Sequence, residues 1–158
     1  MRTIKAQKLT HEAFHTFGTF ADFVPAEMPD VNMDLVTLDM GRAYQNASFS
    51  LIKAQPSPHN VAVMGEYHSW TGQVFLPMDG DVLLYVARPT TGQCPVDKMQ
   101  AFYVPQGTMV AVRPGVWHFS PIAVKDPVHV MLSLPQRTWA NDVSFYGFTE
   151  EEKFAIEL

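Results

Sequence analysis

The sequence predicts an all-β fold, a closed or double-sheet jelly-roll barrel with one short N-terminal helix. Twelve prolines and nine glycines are scattered along the 158 residues, where they separate many short apolar segments. About eight of these segments have the length and composition of strands, and helical periodicity is almost absent. A jelly-roll barrel leaves few strand edges exposed in a chain of this kind, which favours it over an open sheet.

The predicted elements follow in order along the chain. Residues 2–9 are predicted to form an edge strand, and Thr10 is predicted to cap a short helix over 11–16 that stops at Gly18. Residues 19–32 are rich in proline and acidic residues, which predicts a loop. Further strands are predicted over 33–40, 47–54, 61–68, 73–77, 82–88, 101–104, 109–112 and 128–134.

Length, charge and cysteine content restrict the function. A chain of 158 residues fits one domain, predicted to span 1–158. The net charge is −5 without any run of lysine or arginine, so neither nucleic acid nor a membrane is an expected partner, although a local pocket can still bind a small anion. The single cysteine, Cys94, excludes an intramolecular disulfide. No signal peptide or apolar span is recognisable, which makes the cytoplasm the expected location.

Two segments, 65–80 and 107–118, carry the candidate chemistry. Glu66 and His68 lie two residues apart, so on a strand both side chains can face a barrel interior. Gln73 is predicted to begin the paired strand across the short turn that follows His68.

His118 is predicted to arrive from a separate hairpin, behind the turn at Pro114-Gly115. Two imidazoles, one carboxylate and one amide oxygen can form an open site for a divalent metal such as Ni, Mn, Zn, Fe or Co. No organic cofactor is expected. The predicted metal ligands are Glu66, His68, Gln73 and His118.

The remaining histidines have a simpler interpretation. An isolated histidine in a β protein is usually exposed or held by a hydrogen bond, and His129 alternates with two valines in a way that favours an outward position. This interpretation applies to His11, His15, His59 and His129.

The two segments resemble the two sequence motifs of the cupin superfamily. Glu66-x-His68 stands where the first motif has His-x-His, and Gln73 follows after four residues, where that motif has Glu. The second motif is matched by Gly107, by Pro114-Gly115 and, after two intervening residues, by His118. The resemblance implies a double-stranded β-helix, the cupin form of the jelly-roll barrel.

A narrower resemblance is to the ureidoglycolate lyase family, a branch of the cupins. It covers roughly residues 5–125 and is strongest over 47–124. The chain departs from the family's pattern at Phe119, where the family has a second histidine directly after Val-Trp-His. The matching stretches are Lys53-Ala54-Gln55-Pro56, Glu66-Tyr67-His68, Gln73-Val74-Phe75-Leu76-Pro77-Met78 and Gly115-Val116-Trp117-His118.

The resemblance implies a homodimeric enzyme of allantoin catabolism that splits ureidoglycolate, a small anion, into glyoxylate and urea. A metal chelated by the substrate would act as a Lewis acid while a base takes the hydroxyl proton. Glu66 or His118 is the expected base, and His68 is a ligand or a hydrogen-bond donor. Lys53 would pair with the substrate carboxylate if its side chain faces inward.

Two alternatives stay open at this point. A cupin module that binds a small carboxylate or sugar without turnover is favoured by Gln73 and Phe119, and a cupin enzyme of another specificity is the other alternative. The binding module predicts thermal stabilisation by a ligand without a product, whereas the lyase predicts urea release.

Overall fold

Strands dominate the part of the chain described here, residues 1–22, 36–41 and 46–158 of a computed structural model. The two α-helices found in these ranges, α1 (His11–Phe14) and α2 (Thr138–Asn141), are four residues long each. The strands are β1 (Arg2–Lys8), β2 (Gly18–Ala21), β3 (Ala47–Ala54), β4 (Met64–Tyr67), β5 (Gln73–Pro77), β6 (Val82–Ala87), β7 (Gln100–Val104), β8 (Met109–Val112), β9 (Trp117–His118), β10 (Ile122–Ala123), β11 (Val128–Pro135), β12 (Ser144–Gly147) and β13 (Phe154–Glu157).

These strands form two sheets. One has eight strands in the order β12-β4-β9-β6-β7-β1-β13, with β10 also paired to β6, and the other has five in the order β2-β8-β5-β11-β3. Among the described pairings, only those of β1 with β7 and β13 are parallel. The predicted all-β fold, a cupin-type double-stranded β-helix, is confirmed. None of the helices in the described ranges is long and apolar enough to cross a membrane.

The first of two apolar clusters fills the space between the sheets. Phe75 and Val110 of the five-stranded sheet pack in it with Leu84 and Phe102 of the eight-stranded sheet. The helix α1 adds Phe14, whose ring meets that of Phe102 edge-on at a centroid distance of 5.1 Å. Removing each of these side chains from water contributes roughly 1.5–3 kcal/mol to folding.

A second apolar cluster covers the opposite face of the eight-stranded sheet. Leu83, Tyr85 and Ala87 alternate along β6 with residues that face the first cluster, and they pack with Trp117 and Phe154. All six residues of β6 are therefore buried. The continuous apolar run Val-Leu-Leu-Tyr-Val-Ala is the pattern expected for a strand with cover on both faces.

The N-terminal helix begins as predicted and ends earlier. The hydroxyl of Thr10 accepts the Ala13 N–H at 3.2 Å, which caps the helix. The chain then turns into β2 instead of continuing to residue 16. Gly18 permits this entry, because a Cβ there would lie 1.7 Å from the carbonyl oxygen of Ala111 on β8.

Several predictions about the N-terminal third are wrong. The strand at 2–9 is not an edge, because β1 lies between β7 and β13. Residues 19–21 belong to β2 and not to a loop. Residues 36–40 form no strand. Residues 23–35, which hold the start of the predicted 33–40 strand and most of the predicted loop, lie outside the described residues. Near the other end of the sequence, the helix α2 was not predicted.

Candidate active site

Three of the predicted site residues meet on one face of the eight-stranded sheet. Glu66 on β4 stands directly opposite His118 on β9 in the antiparallel register. His68 follows Glu66 by two residues, so its side chain points to the same face. The side chains face the first apolar cluster, as the edge-on contact between the His118 and Phe75 rings shows, with a centroid distance of 5.7 Å.

Gln73 reaches this group from the other sheet. The predicted pairing of its strand with that of Glu66 is wrong, because β5 pairs with β8 and β11, whereas β4 pairs with β9 and β12. The turn after His68 is therefore a crossing from one sheet to the other. Glu66, His68, Gln73 and His118 are all buried, with exposures of 1–2%.

The turn before β9 joins the two sequence motifs. Gly115 has a left-handed backbone with φ of 77°, which favours glycine, and its N–H donates to the carbonyl of His68 at 2.6 Å. The predicted hairpin is not formed, because β8 lies on the five-stranded sheet and β9 on the other. The predicted Pro114-Gly115 turn is present, and it fixes the start of β9 against the end of β4.

Hydrogen bonds to the backbone orient both imidazoles. Nδ1 of His68 lies 2.6 Å from the carbonyl of Asp142, and Nδ1 of His118 lies 2.8 Å from that of Val116. Because a carbonyl only accepts, each Nδ1 carries the proton. In its neutral form, a ring with the proton on Nδ1 presents a lone pair at Nε2. The Nε2 atoms of His68 and His118 lie 2.9 Å and 3.0 Å from Oε1 of Gln73.

Burial keeps His118 neutral at physiological pH. Desolvation lowers the pKa of His118 to about 3, the nearby His68 adds to this, and the bond to Val116 opposes it. Lone pairs of two imidazoles and an amide oxygen therefore converge on one point. A cation between them would satisfy all three, and in a metal-free chain the Gln73 amide can instead turn over and donate its N–H groups.

Glu66 adds a carboxylate whose two oxygens differ in their surroundings. Its Oε1 lies 3.6 Å from Nε2 of His118, while Oε2 is buried and has no hydrogen-bond partner among the described residues. Desolvation raises the pKa of Glu66 to about 7. Because burial disfavours the charged forms of both groups, the contact between Glu66 and His118 is not an ion pair in the metal-free protein.

This donor set fits a divalent metal. Single ligand atoms of Glu66, His68 and His118 all lie within 4.8 Å of one another. Two imidazole nitrogens and a carboxylate oxygen suit first-row divalent ions, and the unpartnered Oε2 is the kind of buried polar atom that a ligand would satisfy. Metal-binding histidines commonly donate their other N–H to a carbonyl, as both rings do here.

Lys53 and Phe119 lie away from this group. Lys53 is exposed on the outer face of β3, since its neighbours Ile52 and Ala54 face the first cluster. Lys53 was expected to pair with the substrate only if its side chain faced inward, and it faces outward. Phe119 packs in the second cluster, on the side of the strand opposite to His118. The family's second histidine at this position would therefore face away from the lone pairs.

The residue that sequence reasoning missed is Asp142. It is 5% exposed and contacts the segment that joins His68 to Gln73. It stands 74 residues after His68, in the unremarkable stretch Trp139-Ala140-Asn141-Asp142. No spacing rule connects it to either motif.

Comparisons with known proteins identify the family of the chain. The family model described as ureidoglycolate lyase matches residues 1–154. The chain is 28% identical over 169 residues to the ureidoglycolate lyase of Pseudomonas paraeruginosa (strain DSM 24068 / PA7), covering 99% of this chain and 97% of that protein. It is 26% identical over 166 residues to that of Pseudomonas aeruginosa (strain LESB58), with the same coverage.

Among solved structures, RmlC from Streptococcus suis in complex with dTDP-D-xylose aligns with a TM-score of 0.41 and 13% identity, covering 58% of this chain and 43% of that chain. The family match extends over nearly the whole sequence, including both segments that carry the buried cluster. The chain belongs to the ureidoglycolate lyase family.

Proposed function

We propose that this protein is a metal-assisted carbon–nitrogen lyase that splits ureidoglycolate into glyoxylate and urea. The observation that carries the proposal is the convergence of ligand atoms of Glu66, His68 and His118 within 4.8 Å. This cluster lies in a chain whose family match spans residues 1–154. The names of the relatives support the substrate, and the cluster supports the metal-assisted chemistry.

The metal would be held by the two Nε2 atoms, by Oε1 of Glu66 and by the amide oxygen of Gln73. When bound, a divalent cation supplies Lewis-acid polarisation of the substrate's carboxylate and hydroxyl oxygens. The backbone bonds of His68 and His118 fix both rings before substrate arrives, so no ordering cost falls on the reaction. Gln73 contributes a neutral oxygen, which keeps the net positive charge of a loaded site higher than a second carboxylate would.

Glu66 is the proposed base, and its second oxygen, Oε2, has no hydrogen-bond partner in the part of the chain that the structure describes. It takes the hydroxyl proton of the substrate as that C–O bond becomes the carbonyl of glyoxylate. The C–N bond breaks at the same carbon, and the proton passes from Oε2 to the departing nitrogen to give urea. His118 is the weaker candidate for the base, because its Nδ1 donates a hydrogen bond to the carbonyl of Val116 and its Nε2 faces Gln73.

A homodimer is part of the proposal. The outer face of β3, at the edge of the five-stranded sheet, carries Phe49 and Leu51, which are 68% and 69% exposed. Two large apolar side chains on an edge strand are the kind of surface that a second copy would cover. A place in allantoin catabolism and a cytoplasmic location stay predictions of the sequence.

The test uses protein stripped with a chelator and reloaded with one divalent metal at a time. We expect metal-dependent release of urea and glyoxylate in equal amounts, lost in Glu66→Gln and His118→Ala. His129→Ala, at an exposed histidine, is the matched control and should retain activity. Thermal stabilisation by ureidoglycolate without products would support the binding module instead. Absence of metal, products and stabilisation would overturn the proposal.

A further inference from the structure

The carboxylate of Asp142 accepts hydrogen bonds from all three residues of the turn at 69–71. Oδ1 accepts the N–H of Ser69 at 2.7 Å. Oδ2 accepts the N–H of Trp70 at 2.9 Å, and both the N–H and the hydroxyl of Thr71 at 3.1 Å and 3.0 Å. Four donors on one buried carboxylate hold the turn in a single arrangement, since each would otherwise lose a hydrogen bond away from water.

The backbone of the same residue holds the imidazole that precedes the turn. The carbonyl of Asp142 accepts the Nδ1 proton of His68 at 2.6 Å. This bond fixes the tautomer of His68 and directs Nε2 toward Gln73, at 2.9 Å. One residue thus binds the turn through its side chain and the ring through its main chain.

The turn it holds is the crossing between the sheets. His68 ends the segment from β4, and Gln73 begins β5 on the other sheet. The relative placement of these two side chains depends on the conformation of residues 69–71. We propose that Asp142 is the positioning residue of the cluster, fixing both the tautomer of His68 and the distance from His68 to Gln73.

The role toward a cation rests on the proposed function, whereas the role toward His68 does not. Asp142 touches neither the Nε2 atoms nor the carboxylate of Glu66 in the contacts described, so it acts through His68. A residue that merely stabilised the fold would leave the tautomer of His68 unchanged.

The experiment compares Asp142→Ala, Asp142→Asn and the control Asp81→Ala. Asp81 is a matched control because its carboxylate also accepts a backbone N–H, that of Gln106 at 2.8 Å. It lies just before Val82, at the opposite end of β6 from Val86, which pairs with His118.

The first readout is the tautomer of His68 by ¹⁵N NMR of metal-free protein. Wild type and Asp81→Ala should show the proton on Nδ1, and Asp142→Ala a mixture of tautomers. The second readout is Zn²⁺ affinity by titration. Asp142→Ala keeps the main-chain carbonyl but removes the side-chain bonds that hold it and the turn in place. We therefore expect a loss in the range of about 10–100-fold, which is typical when a hydrogen-bond partner of a metal-binding histidine is disturbed. Asp142→Asn keeps one acceptor oxygen, so it should show a smaller share of the second tautomer and lose between about threefold and tenfold in affinity.

An unchanged tautomer together with Zn²⁺ affinity within about threefold of wild type in the Asp142 variants would overturn the proposal. If Asp142→Ala does not fold, the same two readouts on Asp142→Asn decide. If wild type binds no Zn²⁺ and releases no urea, the proposed function fails, and the tautomer of His68 alone decides the positioning role.

Discussion

Replacing Glu66 by glutamine should stabilise the metal-free protein at neutral pH while removing its function. Burial raises the pKa of Glu66 from 4.5 to about 7 in the folded chain, and unfolding returns it to the ordinary value. Below pH 4.5 the carboxyl is neutral in both states and carries no penalty. As the pH rises from 4.5 to 7, the unfolded state gives up its proton first, so the wild type loses stability.

The size of the effect follows from the pKa shift. Each unit of pKa difference corresponds to about 1.4 kcal/mol, so the wild type loses about 3 kcal/mol across this window. The glutamine side chain does not titrate and lacks this loss. The difference in unfolding free energy between Glu66→Gln and wild type should therefore change by about 3 kcal/mol in favour of the variant between pH 4 and pH 8.

The assay is urea denaturation of chelator-treated protein, followed by tryptophan fluorescence at half-unit steps from pH 4 to pH 8. Glu150→Gln, at an exposed carboxyl, is the control and should follow the wild-type curve. Parallel curves for wild type and Glu66→Gln, within about 0.5 kcal/mol, would refute the reasoning that burial penalises the charged carboxylate. Saturating divalent metal should reverse the order, because the wild type binds it better.

Four further outcomes are expected. His118→Ala removes a ligand nitrogen and should lower Zn²⁺ affinity by more than about 100-fold, beyond outer-shell changes, in calorimetric titrations; unchanged affinity would exclude this ring as a ligand. Gln73→Glu adds a second buried carboxylate, so it should tighten metal binding and lower metal-free stability in urea melts, and the opposite signs would contradict the ligand set. Phe102→Ala should cost about 3–5 kcal/mol in urea unfolding, and under 1 kcal/mol would contradict its place in the core. Leu51→Glu should convert a dimer to a monomer in light scattering, and a dimer that persists would place the interface elsewhere.

Local patterning was enough for three strands of four to eight residues. The strands at 47–54, 73–77 and 109–112 were predicted with their observed boundaries, because turn residues and apolar composition are properties of the segment itself. The strands β9 and β10 have two residues each, too few to show a period of two. The strand β13 pairs in parallel with β1 from the opposite end of the chain, a partner that no local pattern indicates.

The pairing of strands could not be predicted from their order. Short turns after His68 and at Pro114-Gly115 suggested neighbours within a sheet, whereas both segments cross between sheets. A short turn shows only that two strands are close in sequence, and it does not show that they pair in one sheet. Which sheet each joins depends on which apolar faces meet, and that is decided when distant strands pack.

The sequence by itself determined the donor atoms of the candidate site. Glu66, His68 and His118 are the types and spacings that suit a divalent metal, and the structure brings them together. Their catalytic and metal-binding roles, and that of Gln73, stay predictions that the experiments above decide.

Only the tertiary structure decided how those atoms are held and tuned. It put Gln73 on the opposite sheet, Lys53 on the outer surface, and the carbonyl of Asp142 against a ring 74 residues earlier. It also buried Glu66 and His118, which moves their pKa values in opposite directions. Desolvation and long-range hydrogen bonds exist only when distant segments exclude water together, so no stretch of sequence encodes them alone.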